Sequence, residues 1–269
     1  MSLNTYVANI ISWEKKMKED ESFQNSSNFS KLLLDSRTMN TKLLAKIDDY
    51  LFYMYHFLQG TSRYKEDRER IIHESLIFDE QIEKIEDLRY LPIRQLTHLA
   101  EKICQKDTWL SAVQGGILGM SPAILASANI PITLIRSVRK AQLTGLCFGY
   151  EMIKPYEMIM VLKFLYITRL PKGDRYTAWK SFKKEIYVDP PFVYEGEDRL
   201  LDEKMVIHHG KLLLEMMCIV SLRNKRVRQI PFISIGLSCL ANYCRSNDEN
   251  RFIIKYFQYR YLLEKGCFL

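Results

Sequence analysis

The chain has 269 residues, 47% of them hydrophobic and 26% charged, which excludes a disordered or low-complexity chain. With 11 Gly and 8 Pro, a loop-rich β fold or a collagen-like chain is excluded as well. A mean hydropathy of −0.18 rules out a polytopic membrane protein but leaves room for one or two membrane-seeking segments. The net charge of +7 is spread unevenly. Acidic groups dominate 65–87 and 193–222, whereas the basic excess over 88–140 and 223–269 sits beside the most apolar parts of the chain. An anionic membrane surface attracts that pairing.

In chain order, Tyr6, Ile10, Trp13 and Met17 share one helical face and lead into the charged run 15–21. No charged n-region, apolar h-region or cleavage site precedes them, so no secretory signal is expected. A second helix carries Leu43, Ile47, Tyr50, Leu51, Met54 and Leu58, with Gly60 as its stop. Residues 65–87 read as a solvated surface helix with a weak stripe of Leu76, Ile77, Ile82 and Ile85. After Pro92 a helix is predicted over 93–105.

Leu110 to Ile135 then runs 26 residues without a charge and is followed at once by Arg136, Arg139 and Lys140. About 20 apolar residues span a bilayer as a helix. Pro122 and Pro131 interrupt the backbone ladder, however, and Gln114 and Asn129 are polar. A broken helical hairpin fits better, bent near Pro122 and again at Asn129–Pro131, with the helical pattern resuming to about Tyr150. Gly115, Gly119, Ala123 and Ser127 recur every four residues and form a smooth ridge for close helix approach, with Gly116 beside it. Such a hairpin serves as the core of a soluble protein, as an interfacial or re-entrant segment, or as a span, in that order of preference.

Pro155 opens an apolar helix over 156–168, and 169–193 reads as a basic, then Pro-containing linker. An acidic segment, 195–203, leads into an apolar helix over 205–222. Arg223, Lys225, Arg226 and Arg228 precede a second uncharged stretch, 229–244, which is too short to span. The last helix, 248–264, carries Phe252, Tyr256, Tyr259 and Leu263 on one face. No sustained period-two alternation and no hairpin turn between apolar runs appears. The expected fold is all-α: a single multi-helix bundle over 1–269, with N-terminal helices to 105 and an apolar core region from 106, holding a Gly-rich broken apolar hairpin.

No catalytic motif emerges. His208 and His209 are adjacent, point about 100° apart on a helix, and have no ligand spacing around them, so a surface or helix-start role is expected and no metal. The Gly115–Gly119 segment has neither the Lys-Ser/Thr of a phosphate loop nor a dinucleotide fingerprint. Glu195, Glu197, Asp198, Asp202 and Glu203 lack calcium-loop spacing and suit a helix start. Ser121 has no nucleophile-elbow context. The run 251–261 interleaves basic and aromatic groups as single-strand binders do, but core packing of a helix accounts for it, and nucleic acid is not the expected partner. The six cysteines form no C-x-x-C pair and read as free, mostly buried thiols in a reducing cytoplasm.

Residues 112–151, AVQGGILGMSPAILASANIPITLIRSVRKAQLTGLCFGYE, resemble the signature region of the bacterial EcsC family. Gly115, Gly116 and Gly119 match its glycines, and Pro131 and Arg136 match its turn and following helix. Asn129 stands where an acidic residue is commoner, and Phe148–Gly149–Tyr150 replaces the usual Tyr-Gly order. The head of the chain (Tyr6, Trp13–Glu14) and its end (230–243, then an aromatic helix to Tyr261–Leu262) are similar too. The resemblance implies a protein encoded beside the subunits of an ABC exporter, with no established activity and no cofactor of its own. ATP hydrolysis would fall to another subunit.

The combined expectation is a non-enzymatic cytoplasmic accessory protein, peripheral at the inner face of the membrane near an ABC exporter. Arg136, Arg139, Lys140, Arg223, Lys225, Arg226 and Arg228 are its candidates for the membrane-facing surface, with anionic lipid and transporter subunits as partners. The alternative is a lipid- or apolar-ligand-binding protein whose cavity is enclosed by the Gly-rich hairpin and the helices 156–168 and 205–222.

Overall fold

In the computed structural model the described residues are 3–23, 62–119, 123–186, 208–214, 216–217 and 231–268. For 62, 63, 107, 111, 112, 114–119, 123–131, 155, 231–239 and 241 the description covers the backbone alone. Among the described residues there are helices and no strand, so the fold is all-α. The helices are α1 (Leu3–Phe23), α2 (Ser62–Ser75), α3 (Ile93–Gly119), α4 (Ala123–Cys147), α5 (Pro155–Arg169), α6 (Lys172–Ile186) and α7 (Pro231–Glu264). A 3₁₀ turn, Ile85–Tyr90, lies between α2 and α3, and 208–214 and 216–217 are also helical.

These residues fall in two compact units, each discontinuous in sequence. The first takes 1–61, 153–219 and 262–269. In it α6 packs against both α1 and α5. Tyr6, Ile10 and Met17 are buried on α1, as their spacing predicts. The rings of Trp13 and Trp179 meet edge-on at 5.3 Å. Glu14 accepts from the Trp179 indole N–H at 2.8 Å and from the Lys183 ammonium at 2.7 Å.

The existence of α6 corrects the reading of 169–193 as a linker. Only Gly173, Trp179 and Phe182 are buried along its 15 residues, so its apolar stripe is too sparse to show in the sequence. Its end charges do fit a helix, with Asp174 in the first turn and Lys183 and Lys184 in the last. Pro155 occupies the first turn of α5, where its missing N–H costs nothing.

The second unit takes 62–152 and 220–261. Its helix α2 ends at Ser75, ahead of the predicted 87, and one face is not solvated: Tyr64, Asp67 and Ile71 are buried. Turns follow, and the 3₁₀ segment opens where Asp87 accepts from the backbone N–H of Lys84 at 2.8 Å and of Glu83 at 3.1 Å. Ile85 and Leu88 from this segment are fully buried, while Ile77 of the supposed stripe is exposed.

The helix predicted over 93–105 continues unbroken to Gly119, and from Pro231 the described residues of the two pieces 229–244 and 248–264 form one helix, α7. Pro122 lies outside the described residues. Asn129 and Pro131, however, sit inside α4, so the expected second turn is absent. A single Pro removes one backbone bond in a helix of 25 residues, and the ladder resumes on either side.

Helices α3 and α4 pack together. The approach of Cys104 Sγ to Thr144 Oγ1 at 3.6 Å sets their antiparallel register. Helix α7 runs antiparallel to α3: Gln258 bonds Thr97 at 3.0 Å, and Asn250 bonds Thr108 at 2.6 Å. At the lower end Gly149 takes φ +82° and closes the exit of α4, with its carbonyl accepting from Arg89 Nε at 2.9 Å. The next residue, Tyr150, is covered by the guanidinium groups of Arg260 at 4.1 Å and Arg89 at 4.7 Å. Phe252, Tyr256 and Tyr259 are buried on α7, so the aromatics of 251–261 are core residues and not a stacking platform.

Candidate functional site

The second unit carries a buried polar layer with an exposed apolar level above it. In the layer, Lys140 Nζ lies 2.8 Å from Glu249 Oε1, and the two side chains are only 3% and 4% exposed. Asn250 donates to Cys104 O at 2.9 Å and to Thr108 Oγ1 at 2.6 Å. Thr108 Oγ1 donates to Cys104 O and Thr144 Oγ1 to Lys140 O, both to the carbonyl four residues back. These bonds answer most of the layer's polar atoms, as burial demands. Asn250 Oδ1 is the exception: it is buried and has no donor.

One side of this layer runs toward higher numbers on α3 and lower numbers on α4 and α7. Among the described residues, all the exposed large apolar side chains of those three helices lie on that side. They are Trp109, Leu110 and Val113 on α3, Ile132 on α4, and Leu240 and Tyr243 on α7. Trp109 is 72% exposed and Leu240 58%. At 1.5 Å per residue, Val113 stands about 13 Å beyond Cys104 along α3. Exposed large apolar side chains on helix segments without charge are a surface feature that marks a binding face.

A cleft of about 680 Å³ opens on the α3–α7 side, directly below that level. Trp109 and Tyr243 form its apolar wall, Asn247 and Asn250 are polar, and Lys102, Lys106 and Arg251 supply cations against one carboxylate, Glu101. Lys102 is paired with Glu74 at 3.2 Å. Glu101 acts on Lys255: burial pushes that ammonium below the usual lysine range, and the Glu101 charge opposes the shift. Lys106 and Arg251 have no carboxylate partner among the described residues.

The residues singled out in the sequence divide among these places. Lys140 is sealed in the ion pair with Glu249, so it is not a membrane-facing residue. A burial this complete excludes water and lipid alike. Arg139 is partly covered and pairs with Asp67 at 2.5 Å, while Arg136 is half-buried on the adjacent turn. Arg223, Lys225, Arg226 and Arg228 lie outside the described residues. Gly115, Gly116 and Gly119 are in the upper half of α3, and Asn129 and Pro131 in the upper half of α4.

Among the described residues no cluster of His, Cys, Asp or Glu could hold a metal ion. His208 is exposed and its ring meets His209 edge-on at 5.5 Å. Cys104 and Cys147 are buried, and burial pushes the Cys147 thiol well above its usual range; Cys244 is exposed. No described helix is long and apolar enough to cross a membrane.

The sequence does not single out Trp109, Lys106 or Tyr243, and Arg251 figures in it only as part of the basic and aromatic run 251–261. Trp109 and Tyr243 stand at the edges of the two uncharged stretches, with Lys106 one turn and Arg251 two turns farther along. The first unit has a smaller groove of about 350 Å³, lined by Leu162, Tyr166, Phe182, His209 and Leu212 among others.

The sequence profile of the EcsC protein family matches residues 5–262. One curated relative, "Uncharacterized protein YdbA" of Bacillus subtilis (strain 168), is 26% identical over 168 residues. That alignment covers 62% of this chain and 61% of the relative's length. No solved structure matches.

Proposed function

With the chain a member of the EcsC protein family, we propose that it is a non-enzymatic accessory protein that docks on the inner face of the cell membrane beside an ABC exporter. The observation behind the docking is the exposed apolar level of α3, α4 and α7. Trp109, Leu110, Val113, Ile132, Leu240 and Tyr243 form it, and none of the three helices carries a charge there. A face of this kind sinks into the headgroup–acyl boundary, with Trp and Tyr at the depth such rings prefer. The proximity to an exporter rests on the family resemblance.

Flotation of the purified full chain with vesicles tests the reading. The wild-type chain rises with vesicles, and a chain carrying Trp109→Glu and Tyr243→Glu stays at the bottom while keeping its helical circular dichroism. Equal flotation of the two chains, or a wild-type chain that ignores every vesicle, would overturn the docking.

A second reading has support from one observation. The first unit's groove between α5, α6 and the helical residues 208–214 has Leu162, Tyr166, Ile167, Phe182 and Leu212 in its lining, with Lys163, Glu185 and His209 as polar groups among them, a mixture that a ligand groove uses. It uses two of the helices expected to enclose a ligand, without the Gly-rich hairpin.

A further inference from the structure

We infer that the cleft between α3 and α7 is a headgroup site for one anionic glycerophospholipid, with the phosphate held by Lys106 and Arg251 and the hydroxylated headgroup lying over Asn247 and Asn250. This deepens the docking reading and rests on it. Three observations within one unit carry it.

First, the charges in the cleft do not cancel. Glu74 answers Lys102, and Glu101 is the one carboxylate of the lining set against Lys106 and Arg251 on facing helices, so the open space keeps a net positive charge. A phosphodiester is a singly charged group with two free oxygens, and one Lys and one Arg on opposite walls answer both. Second, the polar side chains of Asn247 and Asn250 line the cleft on the same helix as Arg251. Such side chains are hydrogen-bonding partners for a hydroxylated headgroup. Third, the cleft lies at the right depth. Trp109 and Tyr243 form its upper wall and also belong to the exposed apolar level, so one lipid could place its phosphate in the cleft and its chains along that level. A soluble phosphate ester would use the two cations and leave the aromatic wall unexplained.

The test uses the full chain, vesicles of phosphatidylcholine alone, and vesicles with one-third phosphatidylglycerol. The wild-type chain partitions more strongly onto the second set. A Lys106→Ala, Arg251→Ala chain loses about 30-fold of that partitioning at 0.1 M salt, following the usual contribution of two basic groups near an anionic surface. It keeps whatever binding the neutral vesicles give. Removal of the apolar anchors, by contrast, abolishes binding to both sets, so the failure of the headgroup site and of the docking are distinguishable. If the double variant keeps the full preference for phosphatidylglycerol, the headgroup assignment is overturned. If millimolar glycerol 3-phosphate competes as well as the lipid does, the ligand is a free phosphate ester and the lipid assignment is overturned.

Discussion

The ammonium of Lys140 and the carboxylate of Glu249 meet at 2.8 Å in a place almost closed to water. Sealed charge pairs seldom stabilise a fold beyond what apolar residues of the same size would provide, because both ions lose their hydration. What the pair does fix is register. It ties α4 to α7 at one level, below the segments that carry Ile132 on α4 and Leu240 and Tyr243 on α7.

Breaking the pair on one side leaves a buried charge unanswered. Lys140→Met should therefore cost about 3–5 kcal/mol in urea unfolding. The double change Lys140→Met, Glu249→Leu should recover most of that loss. If the single variant unfolds at the wild-type midpoint, the pair is not closed in solution.

Gly149 should not accept a side chain. Its φ is +82°, and a Cβ there would stand 2.6 Å from Arg89 Cγ and 2.9 Å from the Arg89 backbone N. Left-handed backbone costs a non-glycine residue about 1–2 kcal/mol, and the contact with main chain cannot be relieved by a rotamer change. Gly149→Ala should lower the unfolding free energy by at least about 2 kcal/mol. Gly145→Ala tests a different limit, since its Cβ would overlap Met152 Sδ and lie 2.9 Å from Phe257 Cζ. Both of those are side-chain ends, so a paired Met152→Ala should restore part of the loss at position 145 and none at 149.

What was legible in the chain follows from how each element earns its place. Helix α1 shows because Tyr6, Ile10 and Met17 are all buried at helical spacing. Helix α6 does not show, because it needs only Trp179 and Phe182 to hold it against α1 and α5. Pro131 was given too much weight: a proline costs a helix one bond, and α4 continues through it. The docking face shows the opposite error. Cations next to an apolar stretch suggest a membrane surface, yet Lys140 turns inward to Glu249, a partner 109 residues away that no local pattern announces. Lys106 and Arg251 were readable only as two ordinary surface cations until the antiparallel register of α3 and α7 brought them to one cleft.

The Glu14–Trp179 bond offers a separate test in the first unit. The indole of Trp179 is fully buried, and Glu14 is its acceptor at 2.8 Å. Glu14→Ala leaves that N–H without a partner and should cost about 1–3 kcal/mol. Glu14→Gln keeps an acceptor for the indole while giving up the charge opposite Lys183, so it should retain most of the stability. Equal losses in the two variants would show that the Lys183 ion pair, and not the indole bond, holds α1 to α6.

Tyr64 sets an alkaline limit on the second unit. Its hydroxyl donates to Glu151 Oε1 at 2.7 Å and accepts from the Met152 backbone N–H at 3.1 Å. Burial, and next the hydrogen bond to the Glu151 carboxylate, push the phenol above its usual range. The folded chain therefore holds this proton at a pH where the unfolded chain, with a phenol near pH 10, releases it. The contribution of Tyr64 to stability is fully present below about pH 10 and declines as the pH rises beyond it, with a slope below about 1.4 kcal/mol per pH unit. Tyr64→Phe removes the titrating group together with both hydrogen bonds. The variant should be less stable than the wild-type chain at pH 8, and the gap should narrow between pH 10 and pH 11 as the wild type loses its advantage. Lysine titration affects both chains alike and cancels in the difference. A gap that stays constant across that range would mean that the Tyr64 phenol ionises as readily in the folded chain as in the unfolded one.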